Sequence, residues 1–243
     1  MKTVLIAAMM PVLLFCCALK PLEASVENNY NTPKSTVIFW TDGPKLKAVN
    51  LTFFPNHSGP VGIVSVPLYV CLNDGKDKET LTVAKYYQLH GREPLIRHLE
   101  KLFGSPVETY ISIDQKTLVD ASEVVGHFNM AGVTTDLAGV FEGRYTDGPV
   151  NLQVEIRQLA GALTATAMLV KLPRVLWIFA TQVDTDIGPA QFLNFYRLLK
   201  KSGPEVLQKK AVPGYDIRIE NCKYRLVKPE MWGKTVKDVT IGR

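Results

Sequence analysis

Few side chains in this sequence are spaced to do chemistry. Its four histidines are scattered, and His90 and His127 stand beside glycine, where exposed turn histidines are usual. No Ser/His/Asp or Cys/His arrangement follows from spacing alone. Cys71 and Cys222 stand apart, and no CxxC or Cys/His cluster offers a metal site. What remains is charge and an apolar surplus. Basic residues gather late, among them Lys200, Lys201, Lys209, Lys210, Lys223, Arg225 and Lys228, and the formal net charge is +5. Such a surface suits phosphates, acidic polymers or lipid headgroups, or is simply a solvated face. Residues 167–183, "AMLVKLPRVLWIFATQV", together with Phe192, Phe195 and Tyr196, exceed what one helix face needs. They read as a well-filled core or as the wall of an apolar pocket.

The elements that must hold these residues alternate along the chain. With 243 residues, 47% hydrophobic and 21% charged, the sequence fits one medium domain whose core needs no disulfide or metal. "STVIFWTDG" reads as a strand ending in an Asp42-Gly43 turn. "VNLTFF" and "VGIVSVPLYV" follow as an antiparallel hairpin. "REPLIRHLEKLFG" places Leu95, Ile96, Leu99, Leu102 and Phe103 on one helical stripe stopped by Gly104. "ETYISID" is a strand and "QKTLVDASEVVG" a short helix. Residues 151–172 read as one longer helix. "IGPAQFLNFYRLLKKSG" is amphipathic with Pro189 near its start, and "YDIRIENCKYRLV" is a late strand. The order predicts a single α/β domain, with a central mixed β-sheet flanked by helices on both faces.

The first residues have a different character. Lys2 precedes an apolar run at 4–19 and a small-residue stretch, so 1–24 is expected to be a signal peptide cut after Ala24, or a membrane anchor. Residues 25–34 read as a linker and 35–243 as the domain. The chain is therefore expected to be exported, secreted or membrane-anchored. An oxidising compartment would permit a Cys71–Cys222 disulfide, and two free thiols are the equal alternative. Sequons begin at Asn50 and Asn56.

From about Thr36 to Met231 the order of segments resembles the LytR-CpsA-Psr proteins of the bacterial cell envelope. "TVIFWTDG" is similar to that family's first strand and its Gly-x-Asp turn. "GIVSVPLYV" resembles its strand ending in Ser-Ile-Pro-Arg-Asp. "HGREPLIRHLEKLFGSPVETYISID", "LVDASEVVGHF", "EIRQLAGAL", "VDTDIGPAQFLNFYRLL" and "AVPGYD" complete the series in order. The resemblance implies transfer of a glycopolymer from a polyprenyl pyrophosphate carrier to peptidoglycan outside the membrane. Arginines would clamp the pyrophosphate, acidic residues would hold a divalent cation, and an apolar pocket would take the prenyl tail.

Most of the implied charges are missing here. Leu68 and Tyr69 stand where the Arg-Asp pair is expected, and Asn151 and Val154 stand at the Asp-x-x-Arg spacing. Asp42 matches the turn acid, but Trp40 replaces its glycine. Arg157 and Gln158 are kept, with Arg144 nearby in sequence. The expected ligand-contacting residues are Arg157, Gln158, Leu68, Tyr69, Leu176, Trp177, Phe192 and Phe195. Three function classes follow. The first is a pseudoenzyme binding a polyprenyl-phosphate-linked lipid or a cell-wall glycopolymer at the membrane surface, with no cofactor and no nucleic-acid partner. The second is a divergent phosphotransferase using Arg157, Asp42 and Arg144, the one case in which Mg²⁺ would be expected. The third is an envelope scaffold or interaction protein.

Overall fold

The computed structural model describes residues 35–241 apart from 55–58, 73–80, 147 and 149–150. The expected leader at 1–24, the linker at 25–34 and the sequon at Asn56 lie outside the described residues. Asn50 sits mid-strand, with its side-chain oxygen accepting from Ser65 Oγ at 2.5 Å, which leaves little room for a glycan.

In chain order the elements are β1 (Ser35–Asp42), β2 (Lys45–Phe53), β3 (Val61–Val66), β4 (Cys71–Leu72), β5 (Leu81–Thr82), α1 (Val83–His90), α2 (Arg92–Phe103), β6 (Thr109–Asp114), α3 (Gln115–Val125), β7 (Phe128–Met130) and β8 (Val133–Thr135). There follow α4 (Leu137–Phe141), α5 (Leu152–Thr164), α6 (Leu172–Gln182), β9 (Asp184–Thr185), α7 (Pro189–Ser202), β10 (Leu207–Ala211), β11 (Tyr215–Ile219), β12 (Cys222–Leu226) and α8 (Pro229–Thr240). Side-chain caps start several helices. Thr82 accepts from Lys85 N, Asp114 from Thr117 N, and Asn151 from the amides of Gln153 and Val154. Such a cap typically contributes about 1 kcal/mol. Gly104 ends α2 with φ 64°, a left-handed conformation that favours glycine.

Six strands form the central sheet in the order β10-β3-β2-β1-β6-β9. β1 runs parallel to β6 and β3 parallel to β10, while the other neighbours are antiparallel. The sheet is mixed and covered on both faces, as the sequence predicts. Strand alternation divides the side chains. Val37 and Phe39 of β1, Val49, Leu51 and Phe53 of β2, and Val64 and Val66 of β3 point to one face. There they pack against Val83 of α1, Leu95, Leu99 and Phe103 of α2, and Trp232 and Val239 of α8. Each fully buried side chain of this kind contributes roughly 1.5–3 kcal/mol. The approach is close at Gly62, where a Cβ would meet Val239 Cγ2 at 2.6 Å.

Three expectations need correction. The helix expected over 151–172 breaks after Thr164. Ala165 leaves the helix with ψ 149°, and a short 3-10 turn (Thr166–Met168) separates α5 from α6. The third strand stops at Val66, because Pro67 has no N–H for the ladder, and the chain resumes pairing at Val70. The late strand is a hairpin: Glu220 and Asn221 have φ 48° and 64°, the signs a two-residue turn requires. Cys71 and Cys222 are both free thiols.

Candidate functional site

The second face of the sheet is hollow. The alternate residues of the same strands (Thr36, Ile38, Thr52 and Ile63), with Ile111 and Ile113 of β6, form the floor of a cavity of about 400 Å³. Its walls come from Leu118 and Val125 of α3, Ile156, Leu159, Ala160, Leu163 and Thr164 of α5, Val175, Ile178 and Phe179 of α6, and Phe192, Phe195, Tyr196 and Leu199 of α7. That volume is within the range of small-molecule sites. Aromatic pairs hold two corners: Phe54 stacks on Phe195 at 4.6 Å and Phe179 on Phe192 at 4.2 Å. The few polar wall groups are satisfied within the wall. Thr36 and Thr109 share a hydroxyl contact of 2.7 Å, Thr117 donates to Gln182 O, and Thr164 donates to Ala160 O. The wall therefore presents hydrocarbon, not hydrogen bonds. Leu198 lines the cavity and is itself 37% exposed, so the hollow reaches the surface beside it.

One wall residue breaks this rule. The Tyr196 hydroxyl is buried and has no hydrogen-bond partner among the described residues, which costs about 1–3 kcal/mol. We expect Tyr196→Phe to stabilise the domain by about 1 kcal/mol, a rise of roughly 2–4 °C in Tm. A thermal melt in which the variant unfolds earlier than the parent would contradict that assignment.

Above the floor, Trp40 replaces the expected glycine with a plug. Its ring meets Phe141 edge-on at 5.8 Å and clusters with Leu118 and Ala138. Its indole N–H donates to Gln115 Oε1 at 3.0 Å, Gln115 Nε2 donates to Glu142, and Glu142 holds Arg144 at 2.6 Å. Arg144 is thus the end of a structural chain. Asp42 sits in the β1–β2 turn, 3.5 Å from Lys47. Arg157 faces β10, pairing with Glu205 at 2.5 Å and donating to the carbonyls of Glu205 and Leu207. Gln158 accepts from Ala131 N. Among the described residues no hydrogen bond or ion pair joins Asp42, Arg144 and Arg157. None of the groups of three or more His, Cys, Asp or Glu needed for a metal ion occurs there either. The described residues therefore offer no such group for the Mg²⁺ of the enzyme reading.

Leu68 and Tyr69 lie elsewhere, in an open groove of about 570 Å³ with Thr82, Lys85, Cys222, Lys223 and Tyr224. The Tyr69 ring is covered by Lys223 Nζ at 4.4 Å and Arg225 at 5.2 Å, favourable cation–π contacts. Asp216 fixes both cations, and hydrogen bonds from Arg225 and then Lys223 hold its carboxyl far below the usual range. Burial pushes the Cys71 thiol up, with only partial relief from the Arg225 amide, so it is a weak nucleophile.

Of the expected contact residues, Phe192 and Phe195 line the cavity, whereas Leu176 and Trp177 do not. Trp177 is on α6 but faces outward, 61% exposed. Sequence reasoning missed Ile38, Phe54, Ile111, Ile113 and Phe141. The even positions of "STVIFW" carried that signal, because they are apolar as well as the odd ones. It also missed a half-buried triad in which Tyr145 donates to Glu155 at 2.6 Å and Lys209 pairs with Glu155 at 3.1 Å. Burial, then the Glu155 contact, pushes the Tyr145 phenol well up. The triad is fully paired and ties α5 to β10.

No family model matches the sequence, and no curated protein matches it. Solved structures do match. TagV of Bacillus subtilis superposes with a TM-score of 0.65 at 12% identity, covering 86% of this chain and 96% of that one. A protein from Streptococcus agalactiae gives 0.66 at 14% identity, covering 87% and 89%. TagT bound to LIIa-WTA gives 0.62 at 11% identity, covering 86% and 90%. TagV and TagT are LytR-CpsA-Psr proteins. At identities this low the likeness is one of architecture, and the chain has the LytR-CpsA-Psr fold.

Proposed function

We propose that this protein is an exported cell-envelope protein that binds a polyprenyl-phosphate-linked or wall-glycopolymer ligand at the membrane surface, without the standard transfer chemistry. The observation that carries the reading is the hollow face: a hydrocarbon-lined cavity of about 400 Å³ opposite a solid core. A neighbour of the same fold, TagT, has been solved bound to LIIa-WTA, which supports a ligand of that class. The positions that would clamp and neutralise a pyrophosphate hold Leu68, Tyr69, Asn151 and Val154. The retained Arg157 is occupied by Glu205. Binding by the tail survives these losses and turnover does not.

The reading is tested by adding polyprenyl phosphate during a thermal melt. At a hundredfold excess over Kd, a ligand specific for the folded state contributes about 2.7 kcal/mol, or roughly 5–10 °C for a domain this size. A Tm that does not move at any soluble concentration would remove the reading. Export is tested by fractionation, with the chain expected outside the cytoplasmic pool. Recovery of the full-length chain there alone would contradict it.

A further inference from the structure

The helix α6 is apolar on two sides. Leu172, Val175, Ile178 and Phe179 face inward and line the cavity. On the outward side Val170, just before the helix, is 87% exposed and Trp177 61%, with Leu169 at 39%. Pro173, Ala180 and Thr181 are exposed between and beyond them. A surface helix ordinarily turns polar residues outward; here Arg174 is the one charge on that stripe. Arg174 makes no ion pair among the described residues, and 156–183 contains Arg157, Lys171 and Arg174 but no Asp or Glu.

We propose that this outer face of α6 docks the protein on an anionic phospholipid bilayer. Charge complementarity favours a negatively charged surface, because the charged residues within 156–183 are all basic. The size of the patch favours a bilayer over a protein. Three large apolar side chains fall short of the roughly 800 Å² per partner that a stable protein interface buries. They suit the headgroup boundary, where tryptophan is enriched and amphipathic helices lie in plane. An 11-residue helix is too short to cross a membrane, so α6 rests on the surface. The proposal rests on the lipid-binding reading, since the helix that meets the bilayer is also a cavity wall and a tail entering there need not cross water.

The test uses the full-length chain and tryptophan emission. Trp40 and Trp232 are 8% and 2% exposed, so a change on vesicle binding reports Trp177. Vesicles of phosphatidylcholine with phosphatidylglycerol are expected to shift the emission to shorter wavelength, and brominated lipid to quench it. Trp177→Phe abolishes the signal. Val170→Asp and Trp177→Asp each weaken vesicle binding about tenfold or more, as loss of one buried apolar anchor implies. Pure phosphatidylcholine binds less tightly. Chain that sediments with vesicles without any Trp177 shift would overturn the proposal, as would equal binding to neutral vesicles. So would a shift that grows with protein concentration when no lipid is present, since a second copy would then cover the face. Phe195→Glu, which fouls the cavity, leaves the shift intact. A parent chain that binds no polyprenyl phosphate yet keeps the shift would strike the lipid reading and not the docking face.

Discussion

Phe195→Glu is expected to weaken polyprenyl phosphate binding at least a hundredfold, whereas Arg157→Ala changes it by less than tenfold. Phe195 stacks on Phe54 and lines the hollow. A carboxylate there must be desolvated or protonated, at a cost of several kcal/mol, when each 1.4 kcal/mol is tenfold in affinity. Arg157 reaches no part of the cavity wall; it pairs with Glu205 and two carbonyls. Its loss loosens the link between α5 and β10 and lowers stability by about 1 kcal/mol. Because the Phe195 variant introduces a charge, a second one guards the conclusion. Ala121→Phe fills the hollow from α3 with hydrocarbon and is expected to block the tail while the domain stays folded. Isothermal titration of the three variants separates the cases. The reverse ranking, with Arg157→Ala the damaging change, would show that the phosphate is what the protein recognises.

Glycopolymer transfer to peptidoglycan is expected to fall at least about 10⁴-fold below that of relatives with a full set of charges. Removing one preorganised donor to a developing oxyanion typically costs 10²–10³ in rate. By the sequence resemblance, Leu68 and Val154 stand where two arginines are expected, and Tyr69 and Asn151 where two acids are expected. Asn151 caps α5, accepting from the amides of Gln153 and Val154. Leu68→Arg with Tyr69→Asp is not expected to restore transfer, since Trp40, Asn151 and Val154 remain. Robust Mg²⁺-dependent transfer, lost in Arg157→Ala, would replace the binding protein with a divergent phosphotransferase. The assay is release of labelled polymer from its lipid carrier, with peptidoglycan as acceptor.

Local signals carried much of the architecture. β1 ends at its Asp-Gly turn, α2 follows its apolar stripe to Gly104, and α7 begins at Pro189. Where neighbours in space decide the outcome, the sequence was silent. The break at Ala165 lies between Thr164 and Thr166 in a stretch with no Pro and no charge, so no strong breaker marks it. β10, "LQKKA", carries two lysines and pairs only along one side, and its strand character comes from the parallel partner β3. α8 contains Gly233 and depends on packing Trp232 and Val239 into the solid core.

The site divides in the same way. Phe192 and Phe195 were legible because an amphipathic helix has one apolar face to bury. Trp177 was not, because α6 has two apolar faces and composition cannot say which turns inward. Arg157 was legible as a charge, but its partner Glu205 is 48 residues away in sequence. Helix spacing cannot reveal such a pair. The Trp40 plug was visible as a lost glycine, although its hold on Gln115, and through it on Glu142 and Arg144, belongs to the fold.

Native mass spectrometry of the gently purified protein addresses the hollow face most directly. Released at low collision energy, the folded chain is expected to carry one amphiphile in a one-to-one complex. That adduct should be absent from Phe195→Glu and Ala121→Phe and retained by Arg157→Ala. A bare chain mass in the parent that persists after incubation with polyprenyl phosphate, with no saturable complex, would contradict it.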